Sequence, residues 1–344
     1  MIFYFLGNED ECMVGIGNGV VSTTSNSFRS TFSRCSWNVG SNDTGFAQNR
    51  KAFSASNFWF TGRVCVAGGG GVLFQGGKVL KLLDSSLINR LQIRGTANPS
   101  GNNYTCVVET VNSAGSATQL GSSFTLNVPS IGAGPLLMKL DVHINYAVSG
   151  SIDIYQNGVG TPVFSYSGDV TTNSVTSLSF FQVGCVGLLS ANWSWSEFAV
   201  GDSSTLTGNV GTLVPSANGN THNFDTGSPA ASNINEITLN DLTLDGSTTA
   251  GQIDEYTIAS SPAGAYVPGA VAVSSRVGIG TTGPQHVDLV LRVSGTDYFS
   301  ADLAPGVSYD LFQNFWYLNP NTGAPWQSSD ISAAGFNIGL KSVA

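Results

Sequence analysis

The run Gly278-Ile279-Gly280-Thr281-Thr282-Gly283 has the glycine spacing that lets backbone amides approach a pyrophosphate. Such a site also needs a helix N-terminus after the loop. Here Pro284-Gln285-His286 leads into another strand-like segment, so the run is expected to be a turn. The histidines His143, His222 and His286 show neither HxH nor HExxH spacing and predict no zinc site. Glycoside hydrolysis would need paired acids on one strand face, as an E-x-D-x-E run supplies. Asp153 and the neighbours Asp254 and Glu255 are instead isolated in strand-like surroundings, and no GxSxG elbow occurs. On these grounds no catalytic residue is assigned and the chain is expected not to be an enzyme. Asp241, Asp245, Asp254 and Glu255 could lend oxygen ligands to calcium (Ca2+), although without EF-hand spacing, and the alternative is a solvated acidic loop. Aromatic side chains are the remaining route to a ligand, since a ring can stack on a pyranose face. Trp193 and Trp195 lie two apart and share a strand face, and Trp316, Tyr317 and Trp326 cluster near the C-terminus. Trp193, Trp195 and Trp326 are the candidate carbohydrate-binding residues, with packing in the core as the alternative.

The elements that would position these residues are strands. Met138, Leu140, Val142, Ile144 and Tyr146 alternate with Lys139, Asp141, His143 and Asn145, the period of a half-buried strand, which puts His143 on its polar face. Gly150 interrupts the pattern, Ile152 and Ile154 resume it, and Asn157-Gly158 marks a hairpin returning through Val163 to Tyr166. Further strands are expected at Ile2 to Leu6, Asn57 to Ala67 (ending at Gly68 to Gly71), around Leu91 and Ile93, and at Tyr104 to Val111 and Ser123 to Val128. Between Gly201 and Ser232 the chain turns poor in large apolar residues, which places a boundary near residue 205. Beyond it Tyr256 to Ile258, Val271 to Val277, Val287 to Val293 and Phe336 to Val343 predict strands, and Ser329 to Ala334 one helical turn. The fold class is therefore all-β: two β-sandwich or jelly-roll domains in tandem, residues 1–205 and 206–344.

Composition narrows the function classes. Only 10% of the 344 residues are charged, against roughly 25% in an average domain, and the 42 glycines exceed the usual ~7%. With net charge −9 and 13 Lys plus Arg, no basic surface is available for a phosphate backbone, so no nucleic-acid partner is expected. No stretch approaches the ~20 apolar residues that cross a bilayer, so no membrane partner is expected and the protein is predicted to be soluble. Cys12, Cys35, Cys65, Cys106 and Cys185 are odd in number and lack CxxC spacing. They are expected to be buried free thiols of a protein made in a reducing cytoplasm. The sequons at Asn42, Asn103 and Asn192 are expected by chance in a chain this rich in Asn, Ser and Thr.

The segment from Leu136 to Asp169, with its long alternating strand, Gly-Ser-Ile-Asp-Ile-Tyr-Gln-Asn-Gly and returning Val-Phe-Ser-Tyr, resembles the central hairpin of laminin-G-like, concanavalin-like jelly rolls. Trp195 to Asp202 is similar to the closing strand of that domain in tailed-bacteriophage virion structural proteins. Leu213 to Asn220, Ile234 to Glu236, the run ending at Gln252, Leu291 to Tyr298 and Asn319 to Trp326 resemble the C-terminal module that follows it there. The resemblance runs from about residue 55 and implies a virion component made in the bacterial host cytoplasm. Its partners would be other virion proteins of capsid or tail and further copies of itself, a homo-oligomer. Two roles follow: a structural decoration or appendage protein making protein contacts, or a receptor-binding adhesin that holds host-surface glycan. The absence of a coiled-coil shaft favours the first.

Overall fold

The computed structural model describes residues 1–7, 12–16, 20–23, 36–39, 45–67, 76–97, 101–129, 137–172, 174–184, 192–206, 208–226, 231–234, 240–258, 266–332 and 334–344. Cys35, Cys185, the Gly68 to Gly71 run and the Asn42 sequon lie outside them. The chain forms two compact units, Met1–Gly211 and Thr212–Ala344. Both are built of antiparallel strands, as the alternation and turn signals require.

The N-terminal unit is a jelly roll of two sheets. In the first the order is Phe164–Gly168, Gly150–Gln156, Met138–Asn145, Asn57–Ala67, Asn192–Gly201, Ser36–Val39 and Val20–Thr23, with Phe3–Gly7 also paired to Asn192–Gly201. In the second it is Ala117–Asn127, Asn103–Val111, Asn89–Gly95, Lys78–Leu83, Phe180–Gly184, Phe46–Asn49 and Met13–Ile16. The apolar face of the alternating strand turns inward: Met138, Leu140, Val142 and Ile144 are all buried. They share the core with Phe58, Phe60 and Phe181, and Phe60 and Phe181 meet edge to face at 5.0 Å. Asn157 and Gly158 have φ of 59° and 71°, the left-handed pair that a tight turn between right-twisted strands needs. A Cβ on Gly158 would stand 2.5 Å from the carbonyl of Leu206, so glycine there also permits a close chain crossing.

The C-terminal unit has a five-stranded sheet in the order Pro215–His222, Ile253–Ile258, Asn337–Val343, His286–Val293 and Thr296–Phe299, and a two-stranded sheet of Val271–Val277 with Asp310–Trp316. Its core gathers Val273, Leu289, Leu291, Val293, Trp326 and Phe336. The expected helical turn is Ser328–Ser332. Gly278 to Gly283 is a turn between Val271–Val277 and His286–Val293, with no helix to hold a phosphate.

Candidate functional site

Trp193, Trp195 and Trp326 are each 0% exposed, which corrects their sequence-based assignment as carbohydrate-binding residues. Trp193 and Trp195 do share one face, but it is the face turned into the sandwich. There Trp193 meets Tyr104 edge to face, and Trp195 Nε1 donates to the carbonyl of Gly184 at 3.3 Å. In the other unit Trp326 Nε1 donates to the carbonyl of Trp316 at 2.8 Å. A ring enclosed in this way has no face left for a sugar.

Trp59, by contrast, is a half-buried aromatic on the outer side of the first sheet. Strand Asn57–Ala67 pairs with Met138–Asn145 so that Trp59 stands opposite His143, and His143 in turn stands opposite Asp153 of Gly150–Gln156. Side chains directly opposite share a face, so Trp59, His143 and Asp153 form one row on the outer surface of the first sheet, and Thr61, Asp141 and Tyr155 form the next. The Trp59 ring stacks on His143 at 4.8 Å between centroids, with 19° between planes, and on Tyr155 at 5.4 Å and 28°. All three rings are partly exposed.

Polar groups fix this stack. His143 Nε2 donates to Asn57 Oδ1 at 3.0 Å, which holds the imidazole in the stack. Ser165 donates to Asp153 Oδ1 at 2.7 Å. Asp153 Oδ2 lies 3.7 Å from His143 Nδ1, beyond hydrogen-bond range, so it keeps acceptor capacity toward solvent. Burial, and secondarily the Asp153 carboxylate, push the Tyr155 phenol above its ordinary value, so its hydroxyl stays protonated and able to donate at neutral pH.

Further along the same face Thr205 and Asn209 meet the sheet. Thr205 Oγ1 donates to Asp141 at 2.8 Å, its carbonyl accepts from Lys139 Nζ, and Asn209 accepts from Arg63. Lys139 and Asp141, on the polar side of their strand, are consequently 4% and 0% exposed and pair at 3.1 Å. Burial lowers the Lys139 ammonium, with Asp141 opposing. Arg63 bonds Glu197 at 2.9 Å; Glu197 sits at an irregularity of strand Asn192–Gly201, with φ of 55°. A cavity of about 500 Å³ is lined here by Arg63, Lys139, Asn157, Leu206 and Asn209.

Of the four acids considered for calcium, Asp245 and Asp254 meet at the Tyr256 hydroxyl, and the other two lie apart from them. Asp241 is held by both ends of the Arg276 guanidinium, at 3.0 and 2.8 Å. Asp245 accepts from Asn233 and Tyr256, Asp254 meets His222 at 2.6 Å, and Glu255 accepts from the backbone amide of Thr221. Asp254 and Glu255 are consecutive in a strand and so point to opposite faces. Among the described residues no group of three or more His, Cys, Asp or Glu could hold a metal. Cys12, Cys65 and Cys106 are buried, and burial pushes the Cys65 thiol up to about 12, with Ser194 opposing.

No protein-family model and no curated protein matches the chain. Solved structures similar to it include three carbohydrate-related proteins. One is the endo-β-1,4-glucuronan lyase of the fungus Trichoderma reesei, with 11% identity, a TM-score of 0.39, and 58% of this chain and 91% of that one covered. Another is the VIP36 exoplasmic/lumenal domain in its Ca2+- and mannose-bound form, with 12% identity, a TM-score of 0.40, and 56% and 83% covered. The third is the alginate lyase of Alteromonas sp. 272, with 11% identity, a TM-score of 0.29, and 57% and 93% covered. The likeness concerns architecture only. By its own sheets the chain is a two-sheet β-sandwich followed by a second β-unit. Two lyases among these neighbours correct the expectation that the chain is not an enzyme: the missing glycosidase-type acid run and a framework of paired sheets do not exclude catalysis.

Proposed function

We propose that the N-terminal unit binds carbohydrate on the outer face of its first sheet, at the stack of Trp59, His143 and Tyr155. The observation that carries this reading is a partly exposed aromatic stack beside a carboxylate with a spare acceptor. Sugars are recognised by such pairs, in which ring surface covers the C–H face of a pyranose and a carboxylate takes its hydroxyl protons. The cavity beside Arg63 lies four residues further along Asn57–Ala67, about 13 Å at strand rise. That spacing on one face suits an extended chain better than a single ring.

The setting proposed for this module follows the sequence resemblance alone: an appendage of a bacteriophage particle, held by other virion proteins and by copies of itself. In that setting the adhesin role is favoured over a purely structural one, because the stack is a ligand surface that packing does not need.

Glycan-array screening followed by calorimetric titration tests the site. Saturable binding by the intact protein is expected to weaken at least tenfold in Trp59→Ala, about 1.4 kcal/mol, with the melting profile retained. Chelation of calcium is expected to leave this binding unchanged, because protein groups already fix Asp153 and His143. Binding that survives Trp59→Ala, or a wild-type protein that binds no glycan, would overturn the reading.

A further inference from the structure

The charges around the stack are unequal in a way that bears on which glycans fit. Arg63 and Lys139 are cations of this face among the described residues, and each is already matched by an acid beside it, Glu197 at 2.9 Å and Asp141 at 3.1 Å. Asp153 is the third carboxylate. Its partners are Ser165 at 2.7 Å and, more distantly, His143, and it forms no ion pair with lysine or arginine among the described residues. Among the described residues Asp153 is thus the acid of this face that no lysine or arginine answers, and it stands beside the rings rather than in the cavity. Its side chain is 27% exposed, so an approaching ligand meets it directly.

From this we infer that the stack selects uncharged, hydroxyl-rich glycans and rejects polyuronates; the inference rests on the carbohydrate-binding reading above. A neutral pyranose stacked on these rings can give hydroxyl protons to Asp153 Oδ2, which hydrogen bonds to a charged acceptor make comparatively strong. A uronate carboxylate brought to the same place meets a like charge in a partly desolvated setting, where repulsion is greater than in bulk water. The net charge of −9 for the whole chain adds long-range repulsion to the local one. Neither Arg63 nor Lys139 is released to offset it without stranding its own buried acid, Glu197 or Asp141.

The test is a titration of the intact protein with two soluble polymers of matched length, a neutral glucan or mannan and an alginate or glucuronan, in low and high salt. The neutral polymer is expected to bind at least tenfold more tightly. Whatever polyuronate binding occurs is expected to strengthen as salt screens the repulsion. Asp153→Asn, which keeps the shape and removes the charge, is expected to narrow the preference several-fold, chiefly by improving polyuronate binding. Equal or tighter binding of the polyuronate by wild type, weakened by salt, would overturn the selectivity while leaving the site in place. Absence of binding to both polymers would instead count against the carbohydrate-binding reading itself. Tighter binding of the neutral polymer that Asp153→Asn leaves unaltered would remove Asp153 as its cause.

Discussion

In the N-terminal unit Asp84 and Glu109 are nearly enclosed, but each faces a guanidinium: Arg90 reaches Asp84 at 2.7 Å, and Arg94 Nε reaches Glu109 at 2.9 Å. In the C-terminal unit Asp254 and Glu255 are 0% exposed, and among the described residues neither has a guanidinium at hydrogen-bond distance: Asp254 meets His222 at 2.6 Å, and Arg292 stays 3.7 Å from Glu255. Tyr256 has one hydroxyl proton and stands within reach of both Asp245 and Asp254, while Glu255 shares its surroundings with Asp297. The protonation consequences are opposite. Burial alone would raise Asp84 and Glu109, but hydrogen bonds outweigh it and hold both below the usual carboxylate range; those on Asp84 come from Ile88, Arg90 and Ser86, and those on Glu109 from Arg94 and Gln92. For Asp254 burial prevails over the Tyr256 bond and His222, and for Glu255 burial is joined by Asp297, so both are raised. Asp288, with Lys341 only at 3.9 Å, is raised by burial too. The difference shows that a buried acid is lowered where a guanidinium bonds it directly and raised where burial is answered only by a phenol, a histidine or a more distant guanidinium.

Breaking a guanidinium pair is expected to have the largest effect. Arg90→Ala strands the buried Asp84 carboxylate and is expected to destabilise the N-terminal unit by about 3–5 kcal/mol, read as a lower urea midpoint in proteolysis of the intact chain with fragments assigned by mass spectrometry. Equal destabilisation of Thr212–Ala344 in that experiment would show that the units do not melt separately. In the C-terminal unit Tyr256→Phe removes the donor between two acids and is expected to cost about 1–3 kcal/mol, and more at neutral than at acid pH. The smallest effect is the pH dependence of the wild type. A lowered carboxylate stabilises the fold above its unfolded value, so the N-terminal unit is expected to lose stability as pH falls from the ordinary carboxylate range through the lowered values of Asp84 and Glu109. A raised carboxylate does the reverse. The C-terminal unit is expected to lose stability as pH rises from that range through the raised values of Asp254, Glu255 and Asp288. Parallel pH profiles for the two units in the proteolysis assay would contradict the contrast.

Local pattern alone determined much of this molecule. Period-two alternation over Met138–Asn145 fixes which side chains share a face, because successive Cβ atoms in a strand point opposite ways, and Asn157-Gly158 fixes a turn because it tolerates positive φ. The outward position of Trp59 was also encoded, since it shares parity with Thr61 and Arg63, but consecutive Phe58, Trp59 and Phe60 obscured it. Parity says that Trp193 and Trp195 lie together, yet it does not say whether that face looks inward; the facing sheet decided it, and both rings went to the core. Likewise nothing near Lys139 and Asp141 announces that Thr205 will cover them, 64 residues beyond Asp141. Alternation is a property of the backbone and is written locally, whereas burial depends on which distant segment arrives above a face. The stack itself, Trp59 on His143 and Tyr155, exists only because strand pairing brings three separated stretches into register.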